Sequence, residues 1–220
     1  MNFKNRHSKP KKETQVVKKQ RRRFILFARA HETRNAFELS VAALSECVRM
    51  RILDPLKWEF LGVGGLDSKP ICNLGDRGNN ACIKMIQSVP EREYKRILEG
   101  GDIGLSLTLS PNPSFSAFDF AAAGMIVVTN SFETRTQETF DELGEHFIVA
   151  KPSLVGIING ISRALLKIEN MRKQKNWDSK LNLPTNWSDE RCYGKALFNK
   201  VKLWFKDHTI FPFEFEKVEI

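Results

Sequence analysis

Several features that define other classes of protein are missing from this sequence. No apolar run reaches the roughly 20 residues that a membrane-spanning helix needs, and the basic N-terminus lacks the apolar core of a secretory signal. The four cysteines, Cys47, Cys72, Cys82 and Cys192, form no Cys-x-x-Cys pair and have no nearby histidine to complete a zinc site. These absences predict a cytoplasmic protein whose thiols are free.

Familiar catalytic and cofactor motifs are also missing. The chain has no G-x-x-x-x-G-K-[ST] loop, no G-x-S-x-G elbow and no Asp-x-Asp pair. The stretch GVGGLD has the wrong spacing for a dinucleotide fingerprint, and no helix pattern follows it directly. We therefore expect neither a metal site nor a nicotinamide or flavin cofactor.

Excess positive charge is confined to an N-terminal arm. Residues 1–23 carry ten Lys and Arg and one acid, whereas the rest of the chain carries 25 residues of each sign. This composition predicts a disordered arm or linker over residues 1–22, because it cannot offset its own ordering entropy. Such an arm serves as a solubilising leader or an interdomain linker. The alternative is that it contacts nucleic acid, or anionic lipid at the inner membrane face. The neutral body argues against a basic nucleic-acid-binding surface.

Strand and helix patterns alternate from Arg23 to Asn170. Short apolar runs suited to buried strands are separated by amphipathic stretches and Gly- or Pro-rich loops. The pattern predicts an α/β fold, a Rossmann-like parallel sheet with helices on both faces, over residues 23–170. The weaker pattern of residues 171–220 predicts a C-terminal helical extension and tail. The six predicted strands are RFILFARA, WEFLGV, ACIKMIQ, DIGLSLTL, MIVVTN and HFIVA.

Two arginines flank the loop that follows the first predicted strand. Arg29 ends the strand, and Arg34 lies at the start of the next helix, for which Thr33 is the predicted N-cap. Ligands of open parallel sheets bind beyond the carboxyl ends of the strands. Helix N-termini and guanidinium groups there favour anions. We expect Arg29 to contact a phosphate. Arg34 either contacts the same anion or only faces solvent at the start of the helix.

The loop SPNPS and the following helix supply a second set of polar groups. Ser114 and Ser116 offer hydroxyls, and the helix start offers backbone donors. Asp119 lies one turn further on, and its spacing from Ser116 is that of a capping box. The residues alone leave two roles open for Asp119, which either caps its own helix or accepts hydrogen bonds from ribose hydroxyls.

Two stretches resemble the C-terminal domain of GT-B glycosyltransferases. They are FARAHETRNAFELSVAAL and EYKRILEGGDIGLSLTLSPNPSFSAFDFAAAGMIVVTN, within a likeness that runs from about Arg23 to Asn170. The resemblance is greatest to bacterial rhamnosyltransferases that build surface polysaccharides. It implies a metal-independent GT-B glycosyltransferase that binds a nucleoside-diphosphate sugar, with dTDP-rhamnose as a candidate donor, for transfer to a glycan acceptor.

The resemblance also implies roles for particular residues. The diphosphate would lie by Arg29 and Arg34, and Asp119 would replace the ribose-binding glutamate that is usual in the family. No residue is implied as the catalytic base. The donor-lining loop and the pocket floor would comprise Ser110, Asn112, Ser114, Phe115, Thr129 and Asn130.

Some positions depart from the family pattern. Ala30 stands where proline is common and Asn112 where histidine is common. Pro111 stands where many retaining relatives carry the first of two glutamates, which favours an inverting enzyme. Only the arm precedes the first strand, so we expect a donor-binding half that needs an acceptor domain on another chain or segment. The alternative is a non-catalytic nucleotide-sugar-binding or regulatory subunit.

Overall fold

A computed structural model of the protein describes residues 21–75, 81–110 and 114–173, without the side chains of residues 172 and 173. The predictions for residues 1–20, for Asn112 and for the C-terminal extension beyond residue 173 lie outside the described residues. Among the described helices, none is long and apolar enough to cross a membrane.

The described residues form strands and helices that alternate along the chain. The strands are β1 (Arg22–Phe27), β2 (Trp58–Gly65), β3 (Ile83–Gln87), β4 (Ile103–Leu105), β5 (Ile126–Asn130) and β6 (Phe147–Ala150). The α-helices are α1 (Phe37–Arg49), α2 (Glu91–Leu98), α3 (Phe115–Ala122), α4 (Gln137–Asp141) and α5 (Leu154–Lys173). Every predicted strand is present, and α4 is a short helix that the sequence pattern does not indicate.

The six strands form one parallel sheet in the order β3-β2-β1-β4-β5-β6. The chain therefore moves outward from β1 to β3, returns to β4 beside β1, and then moves outward in the other direction to β6. The prediction of a Rossmann-like parallel sheet is confirmed. The order reverses between β1 and β4, and a crevice beyond the carboxyl ends of strands at such a point is where ligands bind in this architecture.

Alternate residues of β1 belong to different hydrophobic cores on the two faces of the sheet. Phe24 and Leu26 are fully buried against the core that includes α1 and α5. Ile25 is fully buried in the other core, which includes residues of α2, α3 and α4. Fully burying each of these side chains contributes about 1.5–3 kcal/mol. The continuous apolar run of β1 is thus the consequence of burial on both faces.

Helix α1 begins later than the sequence pattern predicts. Thr33 starts a three-residue 3₁₀ turn, Thr33–Asn35, and is not the N-cap of the α-helix. The N-cap is Ala36, which adopts the left-handed conformation with φ 44° and makes no side-chain cap bond. The extra turn places Arg34 and Asn35 between the end of β1 and the start of α1.

Two of the four cysteines are paired, which corrects the expectation of free thiols. Cys72 and Cys82 form a disulfide, whereas Cys47 is free and buried. An antiparallel bridge joins Ile71 to Ile83, and two backbone hydrogen bonds link these residues. Their neighbours at 72 and 82 therefore face each other as a non-hydrogen-bonded pair, with Cα atoms 4.1 Å apart. Sequence spacing does not reveal this pairing, because it depends on a chain reversal alongside β3.

Helix α3 packs against β4 at a glycine. A Cβ atom added at Gly104 would lie 2.5 Å from Cδ2 of Phe120, so the phenylalanine ring occupies the space that a side chain would fill. Phe120 is fully buried. This packing holds the C-terminal half of α3 against β4.

Candidate functional site

A pocket of about 590 Å³ opens at the carboxyl edge of the sheet, around the ends of β1, β2 and β3 and the start of α3. Its size is typical of small-molecule sites. Part of the wall is apolar and comes from β1, β2, β3, α2 and the segment before α2, through Phe27, Val63, Ile86, Val89 and Ile97. The polar part of the lining comprises Arg29, Arg34, Asn35, Gln87, Ser88, Glu91, Tyr94, Thr108, Ser110, Ser114, Ser116 and Asp119.

Arg29 provides positive charge at this pocket. It follows β1 and is exposed, and its guanidinium carbon lies 5.4 Å from the ring centroid of Phe27. No carboxylate among the described residues forms an ion pair with Arg29. Arg34 also lines the pocket, but its Nε lies 3.3 Å from a carboxylate oxygen of Glu32. Arg29 is therefore the cation more available to an anionic ligand.

Three serine hydroxyls lie together beneath the start of α3. The Oγ atoms of Ser106, Ser114 and Ser116 are 2.8–2.9 Å from one another. Ser114 is the N-cap of α3, but its side chain makes no cap bond to the helix backbone. The hydroxyl cluster and the helix N-terminus together present hydrogen-bond donors to the pocket, an arrangement that suits an anion.

Asp119 does not cap its helix, so that alternative is wrong. The N-cap is Ser114 rather than Ser116, and the Oδ2 atom of Asp119 accepts a hydrogen bond of 3.3 Å from the hydroxyl of Tyr94 on α2. Desolvation raises the pKa of Asp119, while the hydrogen bond from Tyr94 and the charge of Lys95 act in the opposite direction. Asp119 and Tyr94 both line the pocket, and Tyr94 is a pocket residue that sequence reasoning missed.

Thr129 and Asn130 lie behind the pocket rather than among its lining residues. Both are almost completely buried at the end of β5. The Oδ1 atom of Asn130 accepts a hydrogen bond of 2.7 Å from the backbone N–H of Thr108, and its Nδ2 atom donates to the Thr108 carbonyl at 2.9 Å. Thr129 donates to the carbonyl of Ser106 at 2.8 Å. Their contacts fix the segment that follows β4, which carries Thr108 and Ser110 to the pocket.

The remaining predicted residues divide between the pocket rim and the part of the chain that is not described. Ser110 lines the pocket, and Phe115 lines it with 79% of its surface exposed. Asn112 lies outside the described residues. Within the described ranges, no group of three or more His, Cys, Asp and Glu residues has the arrangement of a metal site.

Residues 22–162 match the family model described as "WsaF, C-terminal domain". This match covers more than half of the chain and includes every described residue of the pocket lining. A search of curated proteins gives no match.

Solved structures share the fold at low sequence identity. "OtsA apo structure" is 12% identical with a TM-score of 0.50, over 70% of this chain and 37% of that one. A structure from E. coli, "Trehalose-6-phosphate from E. coli bound with UDP-2-fluoro glucose", is 12% identical with a TM-score of 0.48, over 69% and 37%. "Crystal structure of GtfA/B complex" is 13% identical with a TM-score of 0.45, over 86% and 37%. The fold is that of one half of a GT-B glycosyltransferase. The chain spans about 37% of the length of these three structures.

Proposed function

The chain belongs to the WsaF C-terminal domain family, and we propose that it binds a nucleoside-diphosphate sugar as the donor-binding part of a glycosyltransferase. The observation that supports this most is that one pocket is lined by both a cation and a carboxylate. Arg29 offers a cation with no acidic partner among the described residues, and Asp119 offers a carboxylate on the side of α3. The cation can bind a diphosphate, and the carboxylate can accept a hydrogen bond from a ribose hydroxyl.

In this proposal, the pocket positions the donor and stabilises the leaving group. Negative charge grows on the diphosphate as the bond to the sugar breaks, and fixed donors aimed at that charge lower the barrier. Arg29, the hydroxyl of Ser114 and the N-terminus of α3 are the groups that we assign to this role. Arg34 contributes less, because Glu32 partly neutralises it.

We assign the base that deprotonates the acceptor to a different domain or chain. Of the two carboxylates that line the described pocket, one has an ion-pair partner and the other is assigned to the ribose. Glu91 pairs with Lys95 at 2.6 Å, which lowers the pKa of Glu91, and Asp119 accepts the bond from Tyr94. This arrangement supports a donor-binding half that requires an acceptor-binding partner. A rhamnosyl donor such as dTDP-rhamnose and a glycan acceptor remain part of the proposal on the motif resemblance.

A binding panel tests the proposed function. We expect one nucleoside class among UDP-glucose, ADP-glucose, GDP-mannose and dTDP-rhamnose to bind saturably with a stoichiometry of one, in buffer containing EDTA. At a concentration of 100 Kd, the ligand should stabilise the fold by about 2.7 kcal/mol, which a thermal-shift assay detects and calorimetry quantifies. Failure of all four donors and of their nucleoside diphosphates to bind at millimolar concentration would refute the proposal.

Donor affinity should depend on pH through Asp119. We expect affinity to fall as pH is lowered through the pKa of Asp119, because a ribose hydroxyl donates best to the ionised carboxylate. Tyr94→Phe removes a hydrogen bond that lowers this pKa, while the charges of Lys95 and Arg29 near the pair remain. The loss should therefore begin at a higher pH in this variant. Calorimetry across pH measures it, and Ser162→Ala, which removes a hydroxyl bonded within α5, is the control. Identical profiles for Tyr94→Phe and the parent protein would show that the two groups are not coupled.

A further inference from the structure

The side-chain amide of Asn35 is a polar group of the pocket that has no hydrogen-bond partner among the described residues. Asn35 is only 7% exposed, and it lines the pocket. No hydrogen bond joins its side chain to any other described residue. Neither amide atom is among the fully buried side-chain atoms that lack a partner in the described residues, so both remain open to the pocket. By contrast, Ser40 of α1, which is 1% exposed, donates its hydroxyl to the carbonyl of Ala36.

Asn35 and Asp119 approach the pocket from opposite faces of the sheet. Asn35 lies in the 3₁₀ turn that leads into α1, and α1 packs on the same core as α5. Asp119 lies on α3 and bonds to Tyr94 on α2, and both of those helices pack on the other core. Arg29 and the start of α3 are also at the carboxyl edge of the sheet.

The position of the turn is fixed by the segment that follows β4. The backbone N–H of Leu109 donates a hydrogen bond of 2.6 Å to the carbonyl of Arg34, which holds Asn35 beside the part of the pocket lined by Thr108 and Ser110. This backbone contact therefore holds the turn that carries the amide.

We propose that the amide of Asn35 binds a hydroxyl group of the sugar that the donor carries, and thereby helps to select that sugar. The inference rests on the proposed function. The sugar of a nucleoside-diphosphate sugar lies at the far side of the diphosphate from the ribose, and Asn35 lines the pocket from the face opposite to Asp119, so we assign the sugar to the side of Asn35. An amide both donates and accepts, as a sugar hydroxyl does, whereas a phosphate oxygen only accepts and would leave Oδ1 of Asn35 unpaired.

Replacement of Asn35 by an apolar residue of similar size separates binding from folding. In Asn35→Leu, we expect the affinity for the nucleoside-diphosphate sugar to fall about three- to tenfold, the range of one net hydrogen bond. The affinity for the corresponding free nucleoside diphosphate should not change. The thermal midpoint without ligand should be nearly unchanged, because the amide makes no hydrogen bond to the described residues that the substitution would remove. Asn35→Ala repeats the binding test with a side chain that cannot overfill the site.

Ser40→Ala is the matched control, since it removes a buried polar group whose partner lies within the protein. It should lower the thermal midpoint and leave both affinities unchanged. The probes are UDP-glucose, ADP-glucose, GDP-mannose and dTDP-rhamnose, each titrated beside its free nucleoside diphosphate.

Each other result has a distinct meaning. Equal losses for the sugar conjugate and the free diphosphate in Asn35→Leu would overturn the sugar contact in favour of a phosphate contact. An unchanged affinity for the conjugate, or a lower thermal midpoint in both variants of Asn35, would overturn the inference while the proposed function stands. Absence of binding to the parent protein by every probe would overturn both.

Discussion

Replacement of Arg29 by alanine is expected to weaken nucleoside-diphosphate binding about ten- to more than a hundredfold. A charge-assisted contact contributes roughly 1.5–3 kcal/mol, and each 1.4 kcal/mol corresponds to about a tenfold change in affinity. The loss should be near the upper end, because no carboxylate among the described residues competes with the phosphate for this guanidinium. The matching nucleoside without phosphates should bind with nearly unchanged affinity.

Three variants make the Arg29 measurement specific. Arg34→Ala should show the same selectivity with a smaller loss, since Glu32 already pairs with Arg34. Asp119→Asn should weaken nucleoside and diphosphate alike, because it acts on the ribose. Arg163→Ala removes an exposed arginine of α5 and should change neither. If calorimetry finds that Arg29→Ala binds the diphosphate as tightly as the parent protein, the phosphate site lies elsewhere.

The largest effect on stability is expected from Phe120→Ala. Phe120 is fully buried and its ring fills the space above Gly104, so its removal leaves a cavity and should reduce the free energy of unfolding by about 3–5 kcal/mol. For a chain of this size, the thermal midpoint should fall by roughly 6–20 °C. Urea denaturation measures the free energy directly.

Phe115 on the same helix provides the control for Phe120. Phe115 is 79% exposed, and an exposed side chain away from the core usually changes stability by less than about 0.5 kcal/mol. Equal destabilisation by Phe115→Ala and Phe120→Ala would contradict the packing described for α3. Loss of donor affinity in Phe120→Ala at temperatures where the variant is folded would show that this packing also positions Ser114 and Asp119.

The sheet could be predicted from the sequence because its strands are buried on both faces. The run around Phe24 and Ile25 is apolar without alternation, and turn residues separate it from the next helix pattern. Short, right-handed connections between successive strands then limit the number of possible sheet topologies. The same reasoning failed at Thr33, because a polar residue before an apolar run indicates an N-cap but does not distinguish an α-helix from a preceding 3₁₀ turn.

The site could be predicted only where its residues act through their position in the chain. Arg29 and Ser114 lie in the pocket because the ends of strands and the starts of helices meet at one edge of a parallel sheet. Tyr94 and Asn35 were missed because their roles depend on the arrangement of distant segments. Tyr94 forms a hydrogen bond to Asp119 on another helix, whereas Asn35 lines the pocket without a side-chain partner among the described residues. Thr129 was assigned to the pocket floor, but its hydroxyl binds the carbonyl of Ser106 beneath the lining.

The central claim is that the donor binds at the carboxyl edge of the sheet, and hydrogen exchange measured with and without the tightest-binding nucleotide sugar tests it most directly. The account predicts slower amide exchange in residues 28–36 and 114–119, which carry Arg29, Asn35 and Asp119. Amides at the second large pocket, which lies at the opposite edge of the sheet and is lined by Arg51, Trp58 and Gly100, should exchange at the same rate. Protection confined to that opposite edge, or no protection at saturating ligand, would contradict the account.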